Sequence, residues 1–64
     1  MDLRDRIAIT AMQSILADYK HYNAVVEMSV DKDVTVNTAI ATICYNIADA
    51  MMEVRNKDYE RTTN

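Results

Sequence analysis

Across its 64 residues the chain contains no glycine and no proline. Glycine costs backbone entropy inside a helix and proline removes a hydrogen bond there, so the two residue types that most often stop a helix do not occur. The same absence counts against tight β-hairpins, whose two-residue turns favour glycine at positive φ. The expectation is an all-α fold.

Hydrophobic spacing places the helices. Leu3, Ile7, Ala11, Met12, Ile15, Leu16 and Tyr19 recur at intervals of three and four, which puts them on one face of a helix over about residues 3–20. Asp2 is its expected N-cap, and Asp5 suits the positive end of the dipole. Ile9 falls off this stripe and widens the apolar surface. Val36, Ile40, Ile43, Ile47, Ala50 and Val54 alternate steps of four and three in a heptad seam, widened by Cys44, Ala48 and Met51. They predict a second helix over about 35–59, with Asp33 or Thr35 as N-cap and Glu53 paired to Lys57 one turn on. Arg55, Lys57 and Arg61 suit the negative end of its dipole.

Between these helices, residues 21–34 read as a short irregular or helical connector. Val26, Met28 and Val30 alternate as a strand would, but a lone strand leaves its backbone groups unpaired. Residues 60–64 have nothing to bury and are expected to fray. The chain is thus one domain, an antiparallel helical hairpin with helices of about 27 and 35 Å at roughly 1.5 Å per residue.

A chain this short buries only about 60% of the surface that its unfolded form exposes. Small scaffolds supplement such a core with disulfides, a metal or association. One cysteine, Cys44, excludes an internal disulfide, and one histidine, His21, excludes a multi-histidine metal site. Self-association remains, most simply as two hairpins closing a helical bundle about a two-fold axis. The expectation is a homo-oligomer, a dimer or higher, with no metal and no cofactor.

Ten acidic and seven basic residues give a net charge of −3, which disfavours sequence-independent binding to nucleic-acid phosphates. No apolar run approaches the roughly 18 residues that span a bilayer. The start, Met1-Asp2-Leu3-Arg4, lacks the features of a secretory signal, and with a single cysteine it suggests a reducing cytoplasm.

Catalytic chemistry finds little support. Asp31, Asp33, Thr35 and Asn37 alternate as a calcium loop begins, but Val36 stands where the loop needs glycine and Thr42 where it needs glutamate, so turn and capping residues are the expectation. His21 has no carboxylate or nucleophile partner evident from spacing. Cys44 lacks an activating base and reads as a small core residue. Met12, Met51 and Met52 read as core at helical spacing. Asp49 is the most informative polar residue, set in the small apolar stretch Ile47-Ala48-Asp49-Ala50-Met51-Met52 with Tyr45 one turn before it. Its expected partners are Arg4, Arg6, Arg55 or a ligand.

Two segments resemble a recurring type of short reading frame carried by tailed bacteriophages and prophages. They are Leu3-Arg4-Asp5 with Ala11-Met12-Gln13, and Tyr45-Asn46-Ile47-Ala48-Asp49-Ala50-Met51-Met52 closed by Arg55, together about a third of the chain. The resemblance implies an accessory gene product acting in the host cytoplasm. Two functions are expected, from the resemblance together with the oligomer, the arginines near helix ends, the surplus apolar surface around Ile9 and Met52 and the net acidity. In the first, an oligomer takes part in host takeover or counter-defence by sequestering a nucleotide immune signal, with Arg4, Arg6, Lys20 and Arg55 holding phosphate and Tyr22 or Tyr45 stacking on a base near Asp49. In the alternative, an apolar helix face docks on a host enzyme or defence complex as an inhibitor or adaptor. Neither is an enzyme.

Overall fold

The computed structural model describes residues 2–63, with side chains described over residues 2–57. It is all-helical, with three helices: α1 (Leu3–Ala17), α2 (Tyr19–Asp31) and α3 (Val36–Thr63). Of the two forms expected for residues 21–34 the helical one is found: most of that segment belongs to a 13-residue helix, which starts two residues earlier, at Tyr19. The first helix also ends earlier than expected. Asp18 leaves the helical region at φ −112° and ψ 109° and caps the next helix, its carboxylate accepting the Lys20 amide at 3.0 Å. An aspartate thereby does what the missing glycine or proline would have done, by offering the backbone a competing hydrogen bond.

Asp2 caps α1 as its sequence predicts, accepting the Asp5 amide at 3.0 Å. At the far end of α2, Asp33 takes a positive φ of 55°. Its amide donates to the Val30 carbonyl at 3.2 Å, and that of Val34 donates to Ser29 at 3.0 Å. This left-handed C-terminal cap normally holds glycine. Thr35 then caps α3, its hydroxyl accepting the Thr38 amide at 3.1 Å. Of the two expected caps of the last helix, Thr35 serves and Asp33 instead closes the helix before it. The segment that resembled half a calcium loop is a stop and a start placed back to back.

Helix α3 continues to Thr63, past the expected end near Tyr59 and through most of the segment expected to fray, while Asn64 lies outside the described residues. At about 1.5 Å per residue its 28 residues span roughly 42 Å, which accounts for the 45 Å long axis of the molecule. Glu53 and Lys57 pair along it at 3.2 Å. The side chain of Arg61 lies outside the described residues.

Helix α1 makes its main contact with α3. Arg4 and Asp5 meet Asp49 and Tyr45, whereas Leu16 shares a hollow with Asn37 and Ile40, so ascending positions on α1 face descending positions on α3. The core beneath them comprises Ala8, Ile15, Val25, Ala39, Ile40, Cys44 and Ala48. Four of these seven are alanine or cysteine, and small side chains let helix axes approach closely. The seam differs from the expected heptad: Ile40, Cys44 and Ala48, four apart, lie at its centre, and Ala50 and Val54 are exposed. On α1 the buried residues are Ile15, from the expected stripe, and Ala8, from outside it; Leu3, Met12 and Leu16 of the stripe are exposed, as is Tyr19, which belongs to α2. Val25 of α2 adds to the core and Met28 packs at its edge.

Candidate functional site

Four polar side chains from α1 and α3 interlock at the seam. Arg4 donates to Asp49 through Nε at 2.6 Å and through Nη2 at 3.3 Å, a two-pronged pair that matches the planar guanidinium to the carboxylate. The same guanidinium lies over the Tyr45 ring, 4.4 Å from its centre. The Tyr45 hydroxyl donates to Asp5 Oδ1 at 2.8 Å. Each residue sits one turn or one position from the next, so formation of one pair aligns the other.

The electrostatics follow from these contacts. The hydrogen bond and charge of Arg4 hold the Asp49 carboxyl below the usual carboxylate range, although partial burial opposes this. The hydrogen bond to Asp5, and the charge of Asp5, push the Tyr45 hydroxyl above its ordinary value. Arg4 is thereby engaged on both faces of its chemistry, by carboxylate and by aromatic ring.

Of the residues expected to bind a ligand, the structure brings together Arg4, Tyr45 and Asp49. The others stand apart. Arg6 lines a furrow on one flank of the α1–α3 seam. Arg55 lies along α3 beside Val54, past the start of α1. Lys20, expected at the end of the first helix, and Tyr22, expected in the connector, both occupy the first turn of α2, so they stand at the positive end of a helix dipole. His21 lies with them, its Nδ1 2.9 Å from the Asp18 carboxylate. The pair is three residues apart, a spacing that helix geometry also brings together, so it was legible in the sequence.

Cys44 is buried, and burial pushes its thiol up, away from the thiolate that a nucleophile requires. The methionines depart from the expected core role: Met12 and Met51 are exposed and Met52 is half-buried. Among the described residues, no three histidine, cysteine, aspartate or glutamate side chains converge as a metal shell would. Nor is any helix among them long and apolar enough to cross a membrane.

Two apolar hollows flank the seam. One, of about 310 Å³, runs between α1 and α3 and is lined by Ile9, Met12, Leu16, Ile40 and Ala41 with Asn37 and Tyr45 at its polar margin. This lies at the lower limit of volumes that hold small ligands. The second, on the other flank, is lined by Ile7, Thr10, Ala11, Ser14, Ile47 and Met51, with Arg6 at its edge. Ile9, off the main stripe in the sequence, was the one signal that pointed to the first of these. No family model matches the chain, and neither does any curated protein or solved structure.

Proposed function

We propose that this chain is a non-catalytic binding protein that works as an assembly of several copies and engages a protein partner through its apolar helix faces. The observation that carries this reading is an inverted distribution of side-chain size. Four of the seven core residues, Ala8, Ala39, Cys44 and Ala48, are small, and apart from Ile15, Val25 and Ile40 no large side chain is buried among the described residues. The exterior carries Leu16 at 54% exposure, Met51 at 54% and Val54 at 58%. Burying a large aliphatic side chain contributes about 1.5–3 kcal/mol, so the apolar surface with most to gain from contact lies outside. Such surface marks interaction sites. The hollow containing Ile9, Met12 and Leu16, which no charged residue lines, suits a second copy.

The resemblance to short phage reading frames would set this binding in an infected cell, directed at a host enzyme or defence complex. Sedimentation at micromolar concentration tests the assembly. A species above the monomer mass that dissociates when Leu16 is replaced by aspartate supports it. A well-folded monomer at every concentration ends it.

Sequestration of a nucleotide signal stands second. Arg4 is already held by Asp49, so phosphate would fall to Arg6, Lys20 and Arg55, which must converge from different copies. What favours it is the placing of Lys20 beside the exposed Tyr22 in the first turn of α2; Asp18 already takes the Lys20 amide, so the Lys20 ammonium would meet the phosphate. Calorimetry against cyclic dinucleotides and ADP-ribose derivatives tests it; absence of heat at high micromolar concentration rules it out.

A further inference from the structure

Met51 lines two hollows at once: the furrow containing Ile7 and Ile47, and the one containing Ala50 and Val54. Joined at Met51, the two hollows mark out an apolar trough that starts on α1 and continues along the part of α3 lying past the start of α1. Among the described residues its charged lining is of one sign. Arg6 edges the first section and Arg55 the second, in a chain whose net charge is −3. The hollow on the opposite flank has no charged lining residue.

The polar groups of the trough are already satisfied. Thr10 donates its hydroxyl to the Arg6 carbonyl at 3.0 Å, and Ser14 donates to Thr10 at 3.2 Å. Both hydroxyls are turned back onto their own helix, so covering them strands no donor. The trough can therefore be dried by an apolar face at little polar cost.

Its length sets the occupant. From Ile7 to Ser14 is seven residues of α1, and from Ile47 to Arg55 is eight residues of α3 running the other way from the same level. Together they span roughly 22 Å at about 1.5 Å per residue, the length of about four turns of helix. We infer that the trough receives an amphipathic helix of about four turns from a partner protein, with an acidic border whose carboxylates reach Arg6 and Arg55. This deepens the reading of the chain as a binding protein and leaves the charge-free flank for a second copy. The two arginines stand roughly 10 Å apart along the trough, so the acids belong about seven residues apart on the partner.

The test uses the full chain and two synthetic amphipathic helices of that length with the same leucine face. One carries glutamates at the two border positions and the other carries lysines. Fluorescence anisotropy should show the glutamate peptide binding and the lysine peptide binding at least fivefold more weakly, with the Met51 methyl resonance shifting only on complex formation. Arg6→Glu and Arg55→Glu, both surface changes, should each weaken the glutamate peptide about fivefold and reverse the preference when combined. Equal binding of the two peptides, binding of neither, or an unmoved Met51 resonance overturns the inference. So does a Met51 methyl already covered by a second copy in the free protein, although that result would leave the assembly reading intact. Glutamate-selective binding by a strict monomer would do the reverse.

Discussion

Arg4 grips Asp49 across 45 positions of sequence, with its Nε 2.6 Å from one carboxylate oxygen and its Nη2 3.3 Å from the other. The pair ties the start of α1 to the middle of α3, yet both side chains are about half exposed, so water and salt screen it. Its main role is to set where α1 lies along α3, since the small residues beneath would tolerate more than one alignment.

The first prediction concerns acid. Asp49 is held below the usual carboxylate range by Arg4, so its contribution to stability is fully present above the unfolded value of about 3.9 and is lost as pH falls through the lower folded value. Melting temperatures from about pH 6 to about pH 2 should fall more steeply in the natural chain than in Asp49→Asn. High salt should narrow the difference. Parallel curves would show that the pair contributes nothing to folding.

Tyr45 should ionise above the ordinary tyrosine range. Its hydroxyl donates to Asp5, and both that bond and the Asp5 charge raise its value. A raised value means that its contribution is present below about pH 10 and lost as pH rises through the folded value. A spectroscopic alkaline titration should show a raised tyrosinate phase that Tyr45→Phe removes. Asp5→Asn should bring that phase down, and Arg4→Ala should push it further up, because the guanidinium favours the phenolate.

The seam supplies a test of packing. Ala48 is completely buried at the centre of the contact between α1 and α3, whereas Ala50, two residues on, is exposed. Ala48→Leu should cost about 1–3 kcal/mol in urea denaturation through overpacking. Ala50→Leu should lie within about 0.5 kcal/mol of the natural chain, as surface changes do. The reverse order would mean that the heptad seam, not the row of small residues, is the true interior.

That contrast shows which parts of the fold the amino-acid order discloses. Helical periodicity and the missing glycine and proline suffice for an all-α chain, and the caps at Asp2 and Thr35 were readable because short oxygen side chains there precede apolar periodic runs. The seam was misjudged because hydrophobic patterns weight isoleucine and valine, while close helix approach selects Ala8, Cys44 and Ala48. The break at Asp18 was missed because nothing in Asp18-Tyr19-Lys20 forbids a continuous helix; the N-cap merely competes with it. Arg4 was among three candidate partners for Asp49, and only three-dimensional alignment of the helices selects it. Asp5 as the acceptor for Tyr45 followed from that alignment and had no separate signature.

The turn between α2 and α3 yields the last prediction. Asp33 holds a positive φ of 55°, in the region where a side chain beyond Cα normally costs energy and where glycine does not. Aspartate tolerates it better than most residues, so the strain is modest. Asp33→Gly should stabilise the chain by about 0.5–1 kcal/mol, because relief of that strain outweighs the added freedom of the unfolded chain. For a domain this small the gain should raise Tm by several degrees. Asp33→Asn removes the same negative charge while retaining a side chain, and should therefore fall between the natural residue and glycine. Asp33→Val, β-branched and least able to adopt positive φ, should destabilise by more than about 1 kcal/mol. If glycine and asparagine give equal gains, charge repulsion and not backbone strain is what Asp33 contributes to this turn.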